Sequence, residues 1–159
     1  MRNTGLLIFI FALAGLSSCK KDDTWISMTA MENAVWIEIN AFRSQNGKSA
    51  VTANYDTMVE QAKYYSSFLA SGNTDQDGSE LLSVWDIIHD RWGGTNEVAI
   101  VTLTQKGSSQ IYAEDIIEPV INQQDTADEL LGDVTIGGVG IAYDPGGNAY
   151  TTILMMKVE

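Results

Sequence analysis

The first half of the chain carries a helical pattern of apolar and polar residues. Apolar side chains recur at spacings of three and four in three successive stripes, as they do on the buried face of a helix. The stripes consist of Met28, Met31, Val35, Ile39 and Phe42; of Tyr55, Met58, Val59, Ala62, Tyr65 and Leu69; and of Leu81, Leu82, Trp85, Ile88 and Trp92. Each stripe is followed by a short segment that contains glycine, at Asn46-Gly47, Ser71-Gly72-Asn73 and Gly93-Gly94. Because glycine readily ends a helix in the left-handed conformation, the pattern predicts three separate helices.

The second half changes to strands, with one helix among them. Val98 to Leu103 is rich in β-branched residues and predicts a strand. Ile111 to Ile121 has a helical period, and Pro119 is expected to begin, end or kink that helix.

The chain ends in a predicted hairpin. Two long apolar segments, Val134 to Tyr143 and Ala149 to Val158, are joined by the turn residues Asp144-Pro145-Gly146-Gly147-Asn148. Apolar residues occupy alternating and intervening positions in both segments, so we expect helices on both faces of the sheet. We interpret the glycines between residues 137 and 140 as room for a closely packed helix. The element order predicts an α+β fold, a three-layer α-β-α sandwich with a small, mainly antiparallel sheet between helices.

The first eighteen residues are typical of a secretory leader. A basic residue, Arg2, precedes an apolar run from Leu6 to Leu16, which is shorter than the ~20 residues needed to span a bilayer. Leu16-Ser17-Ser18-Cys19 then resembles a bacterial lipobox, whose cysteine is lipidated and becomes the new N-terminus. The alternative is an ordinary signal peptide followed by an incidental cysteine. We predict a lipoprotein signal peptide over residues 1–18 and lipidation of Cys19, the one cysteine of the chain.

A charged tether is predicted over residues 19–26, ahead of a domain over residues 27–159. Lys20-Lys21-Asp22-Asp23 resembles the signal that directs some Gram-negative lipoproteins to the cell surface, although a solvated linker would look the same. We therefore expect an outer-membrane or cell-surface protein, attached to the membrane through a lipid on Cys19.

The charge of the chain excludes one class of partner. Nine basic and 21 acidic residues give a formal charge of −12. A field of that sign repels phosphate backbones, so we expect no nucleic-acid partner.

Four segments, in order, are similar to motifs of a known superfamily. Asn40 to Arg43 with Gly47 resembles N-x-x-R-x-x-x-G, and Asn96 to Ile100 resembles G-E-N-I-A with Asn and Glu transposed. Residues 120–131 align with W-x-N-S-P-G-H-R-x-N-L-L, and residues 136–151 align with a closing V-G-V-G-x-A hairpin. These motifs belong to CAP domains, the cysteine-rich secretory, antigen 5 and pathogenesis-related proteins, called SCP-like in bacteria. The resemblance implies an α-β-α sandwich.

The resemblance also implies a site, although its metal ligands are depleted. Family members that bind a divalent metal use two His and two Glu in a central cleft. The matching positions here are Glu97, Thr126 in place of one His, Gln123 near the second acidic position, and Asn73 in place of the other His. An alternative alignment gives that last role to His89, the one histidine of the chain. Since zinc sites need more His, Cys or carboxylate ligands than remain, we expect no metal and no cofactor.

Two functional hypotheses follow from the resemblance. The first is a non-catalytic binding module whose cleft, lined by Glu97, Asn73, Gln123 and Thr126, holds a small molecule, glycan, lipid or protein; the three other side chains would donate hydrogen bonds to Glu97. The second is a weak hydrolase with Glu97 as general base and His89 as its partner, which requires the two side chains to lie within about 6 Å. We favour the binding module, with no catalytic residues.

Overall fold

The computed structural model describes residues 28–107 and 110–159. The predicted signal peptide, the tether and Cys19 lie outside the described residues, and so do residues 108–109.

The three predicted helices of the first half are confirmed. They are α1 (Ala30–Gln45), α2 (Met58–Ala70) and α3 (Ser79–Trp92). A capping box begins α1, in which the backbone N–H of Glu32 donates to the Thr29 hydroxyl and the Glu32 carboxylate accepts from the Thr29 backbone. Gly93, with a φ of 58°, ends α3 in the left-handed conformation.

The second half contains the predicted elements and one helix that the apolar pattern does not reveal. The strands are β2 (Thr95–Thr104), β3 (Ile136–Tyr143) and β4 (Ala149–Lys157), and the helices are α4 (Ala113–Asn122) and α5 (Gln124–Leu130). A two-residue strand, β1 (Thr52–Ala53), also lies between α1 and α2. Pro119 lies inside α4, close to its end.

The four strands form one mixed sheet in the order β1-β3-β4-β2. β3 and β4 form the predicted antiparallel hairpin, in which Val139 pairs with Ile153. β2 pairs antiparallel with the other side of β4, and the short β1 pairs parallel with β3. β2 is therefore an edge strand of this sheet.

Helices cover both faces of the sheet, so the three-layer sandwich is confirmed. On one face, α1 and α4 enclose an apolar cluster that includes Ile39, Ile116, Ile100 and Ile153. On the other face, α2 and α3 enclose a second cluster that includes Met58, Trp85, Ile88, Leu154 and Met156. Side chains of β2 alternate between the two clusters, with Ile100 in the first and Ala99 against the second.

The glycines of β3 let α2 approach the sheet closely, as the sequence predicts. A Cβ atom on Gly140 would lie 2.2 Å from the backbone carbon of Ala62, and one on Gly138 would lie 2.5 Å from the backbone nitrogen of Val59. Both distances are far below van der Waals contact, so a side chain at either position would push α2 away from the sheet.

Candidate functional site

His89 and Glu97 form a side-chain pair at one end of the molecule. His89 lies in the last turn of α3 and Glu97 near the start of β2, and the His89 Nε2 atom lies 2.5 Å from the Glu97 Oε1 atom. An imidazole N–H can donate a hydrogen bond to a carboxylate oxygen across such a contact. The side chains are 31% and 42% exposed. The distance lies well inside the 6 Å that the acid–base hypothesis requires.

Backbone geometry between α3 and β2 brings this pair together. Gly94 passes so close to β4 that a Cβ atom there would lie 2.6 Å from the Lys157 carbonyl oxygen. Asn96 adopts a φ of 55°, and the pairing of β2 with β4 is irregular between Thr95 and Val98. Such an irregularity changes the direction of a side chain, here that of Glu97, towards α3.

Asn73 lies far from this pair. Its side chain is exposed, and its amide donates to the Phe68 carbonyl at the end of α2. The adjacent Gly72 lines a surface depression of about 600 Å³ together with Tyr143 and Tyr150, beside the β3–β4 turn. Glu97 lies at the opposite end of the sheet, where Thr95 of the same strand pairs with Lys157.

Gln123 and Thr126 lie on the opposite face of the sheet from His89. Thr126 is half-buried, and its hydroxyl donates to the Val120 carbonyl at 2.5 Å across the α4–α5 junction. Gln123 is exposed at the cap of α5. α4 packs on the α1 face, whereas His89 belongs to α3 on the α2 face.

The expected hydrogen bonds from Asn73, Gln123 and Thr126 to Glu97 were wrong. Matching short motifs places each residue along the chain, but it does not show on which face or at which end of the sheet the residue lies. The structure brings together Glu97 and His89, the residue of the alternative alignment, and separates the other three.

Comparison with solved structures identifies the fold. An outer surface protein of Borrelia burgdorferi superposes with a TM-score of 0.65 at 16% identity, covering 84% of this chain and 97% of its own. A cysteine-rich secretory protein of Staphylococcus aureus superposes with a TM-score of 0.57 at 16% identity over 80% of this chain. The fold is CAP-like. The chain spans 39% of the staphylococcal protein.

Comparisons of sequence alone give no relative. No protein-family model matches the chain, and no curated protein matches it. The likeness to the two structures therefore shows the CAP-like fold and leaves the activity to be argued from this chain's own residues.

The acidic segment before α3 is a helix cap. Asp75 accepts hydrogen bonds from the backbone N–H groups of Glu80 and Leu81, at 3.0 and 2.9 Å, and from the Tyr65 hydroxyl at 2.9 Å. Asp77 accepts from the backbone and hydroxyl of Ser79. Within residues 28–107 and 110–159, no group of three or more His, Cys, Asp or Glu side chains is placed to hold a metal ion.

These bonds shift two pKa values. Partial desolvation raises the pKa of Asp75, but the bonds from Glu80, Leu81 and Tyr65 outweigh it, and the net pKa lies below the ordinary value. Burial, and then the bond to Asp75, raises the pKa of Tyr65 to about 12. Asp75 and Tyr65 thus fasten the start of α3 to α2.

An apolar strip runs along β2 from the His89–Glu97 pair towards the β3–β4 turn. Val101 and Leu103 share a face with Ala99, and they are 41% and 49% exposed. Leu82 of α3 is also exposed. The resemblance to CAP motifs gave no sign of this strip, because its exposure depends on β2 being an edge strand.

Proposed function

We propose that the protein is a non-catalytic CAP-like binding module, held outside the cytoplasm by a lipid on Cys19. The observation that carries the proposal is the superposition on the spirochaete outer surface protein, which extends over 97% of that chain. A domain of this size and fold therefore suffices for a protein of the bacterial surface. The apolar leader ending at Cys19 supports the same location.

The segment between Cys19 and the domain limits how far the domain can lie from the membrane. The segment from Cys19 to Met28 extends at most about 30 Å when fully stretched. The Glu32 carboxylate, in the first turn of α1, accepts from the backbone N–H of Ile141 in the turn-proximal half of β3. α1 therefore begins near the β3–β4 turn, and a lipid on Cys19 would attach the domain at this end, away from the His89–Glu97 pair.

The absence of catalysis is supported by what surrounds His89 and Glu97. Each is hydrogen bonded to the other, and in the described part of the chain no further side chain is hydrogen bonded to either. A general base acts on a nucleophile or a bound water that a third group usually positions. The pair is better suited to fixing the end of α3 against β2.

Hydrolysis remains the second candidate, because the 2.5 Å contact meets its geometric requirement. It is tested by measuring the turnover of ester, amide and glycoside substrates by the full chain. The binding-module proposal expects rates at the level of the buffer. Turnover that is lost in both His89→Ala and Glu97→Gln would establish the hydrolase instead.

The membrane attachment is tested by phase partitioning in the native host. We expect the full chain in the detergent phase and the Cys19→Ala variant in the aqueous fraction, because each buried acyl CH₂ contributes ~0.8 kcal/mol to anchoring. The His89→Ala variant is the matched control and should stay with the detergent. Retention of Cys19→Ala in membranes would contradict the anchor. None of the helices in residues 28–107 and 110–159 combines the length with the apolar composition that a bilayer-spanning helix requires.

A further inference from the structure

A hydrogen bond at the opposite edge of the sheet shows in which direction the backbone N–H and C=O groups of β2 point. The backbone N–H of Ile141 donates to Glu32 and so points away from β4. Antiparallel pairs alternate between bonded and non-bonded, so Thr151, which pairs with Ile141, directs its backbone groups to β2. There Thr151 pairs with Thr102, whose backbone groups therefore point back at β4.

The backbone groups of alternate residues of β2, starting with those on either side of Thr102, consequently face the open edge of the sheet. By the same alternation, Ala99, Val101 and Leu103 direct their N–H and C=O groups away from the sheet. Among the residues that the structure describes, no backbone group lies beside this edge to receive them. Three consecutive pairing positions are thus available to another strand.

The edge also lacks the residues that usually prevent pairing. Natural edge strands are protected by charged side chains, proline, β-bulges, short length or a covering segment. In β2 the pairing irregularity and the charge of Glu97 are confined to the start of the strand, before Val98. Residues 95–104 contain no lysine and no proline, and Glu97 is their one charged residue. The rest of the strand, from Val98 to Thr104, carries none of these protections in its own sequence, so it is either an aggregation hazard or a binding surface.

Side chains give the edge one apolar wall. Leu82, Asp86 and His89 lie on one flank of α3, since they are spaced by four and three residues. The contact of His89 with Glu97 turns this flank towards β2. An added strand would therefore meet the exposed Val101 and Leu103, which lie on the same face of the sheet as α3.

We propose that the outer edge of β2 between Glu97 and Leu103 is the partner-binding site of the module and takes an extended, basic segment of another protein as an added strand. This inference rests on the proposed function and names its site and partner. Only an extended backbone can pair with the outward N–H and C=O groups of Ala99, Val101 and Leu103. The charge of −12, with Glu97 near the start of the edge strand, attracts lysine and arginine and repels a second copy of the chain.

The test selects binders from a phage-displayed library of random dodecapeptides, on the full chain in non-ionic detergent. The Val101→Pro variant is the counter-target, because its outward N–H can be removed without breaking a bond to β4. Val101→Thr is the matched control, since it keeps both the N–H and the β-branched shape. We expect enriched peptides that alternate apolar residues with lysine or arginine, and that bind Val101→Pro about tenfold more weakly but Val101→Thr nearly as well as the native chain.

A second measurement keeps the proposal falsifiable if Val101→Pro fails to fold. N-methylation of alternate backbone nitrogens of a selected peptide should abolish its binding. The same peptide without methylation should slow hydrogen exchange at the amides of Val101 and Leu103. The proposal is overturned by a selection without enrichment or by binders indifferent to both changes. It is also overturned if these amides are already protected from hydrogen exchange in the free chain. Protection at all protein concentrations would mean that the chain's own residues occupy the edge. Protection only at high concentration would mean that a second copy of the chain occupies it. Because the selection is made in solution, its outcome is independent of lipidation at Cys19.

Discussion

The two edges of the central sheet differ in whether their outward backbone groups are hydrogen bonded. At the β3 edge, Glu32 accepts the outward N–H of Ile141, and the backbone N–H of Asn54 donates to the outward carbonyl of Gly137. At the β2 edge, the outward groups of Val101 and Leu103 meet no other backbone among the described residues. One edge of the same sheet is thus partly closed by its own chain, while the other keeps its pairing capacity. The difference indicates where a partner strand could bind.

The closed edge depends on a buried carboxylate. Glu32 is 1% exposed. Its carboxylate accepts hydrogen bonds from the backbone N–H of Thr29 at 2.6 Å and from that of Ile141 at 3.0 Å. The Lys63 amine lies 3.1 Å from the same carboxylate. A buried charge is tolerated only when it is fully bonded, as it is here. This edge is therefore sensitive to substitution, whereas the open edge should be tolerant.

The largest effect is expected where α2 closes over β3. Gly140→Ala places a Cβ atom 2.2 Å from the Ala62 backbone, which cannot move without α2. We expect a loss of about 3 kcal/mol or more in the free energy of unfolding, or failure to fold. Urea denaturation measures it. Gly107→Ala is the control, because nothing lies within 4 Å of its added Cβ. Equal stability of the two variants would refute the close packing.

The next effect opens the closed edge directly. Glu32→Ala leaves the Ile141 N–H without an acceptor and removes the α1 capping box. We expect a loss of about 2–3 kcal/mol in unfolding free energy. Glu32→Gln keeps the shape and one acceptor oxygen, so its loss should be smaller. A Glu32→Ala variant as stable as the native chain would show that this carboxylate does not hold the edge.

A smaller effect concerns the hydrogen bond from the Tyr65 hydroxyl of α2 to the Asp75 carboxylate, which caps the start of α3. The pKa of Tyr65 is raised to about 12 from 10.0, so its contribution to stability is complete below pH 10 and is lost as the pH rises towards 12. The pKa of Asp75 is lowered, so its contribution is present above its ordinary value and is lost as the pH falls through the lowered one. Tyr65→Phe should lower the melting temperature at pH 8 and reduce its fall between pH 10 and 12. An unchanged alkaline profile would assign that fall to other groups.

The smallest effect is expected at the His89–Glu97 pair. Both side chains are about a third or more exposed, and such pairs contribute little to stability. Glu97→Gln should cost less than about 1 kcal/mol in denaturant unfolding, with an unchanged circular dichroism spectrum. A loss as large as that of Glu32→Ala would mean that the pair is a structural centre of the fold.

The sequence predicts elements that are long enough to show a period. The stripes of α1, α2 and α3 each extend over several turns, and the turn-rich segment between β3 and β4 identifies the hairpin. β1 has two residues and α5 has seven, which is too short for a period to emerge.

The site was less predictable than the fold. The hydrolase hypothesis pairs Glu97 with His89, but their contact depends on the turn at Gly93 and on the irregular start of β2, which the sequence does not reveal. The open edge was not predicted, because whether Val101 lies in a central or an edge strand depends on strand order. Strand order is set by long-range packing and cannot be read from any one segment.

Amide hydrogen exchange at Ile141 and Val101, in the full chain at low protein concentration, tests the central contrast most directly. Both amides point away from β4, yet the first donates to Glu32 and the second has no acceptor among the described residues. The Val101 amide should exchange about a hundredfold faster than that of Ile141 or more, because it needs no opening of the structure. Adding a selected strand-forming peptide should remove most of this difference. Equal and strong protection of the two amides in the free chain would contradict the account, since the β2 edge would then already be occupied.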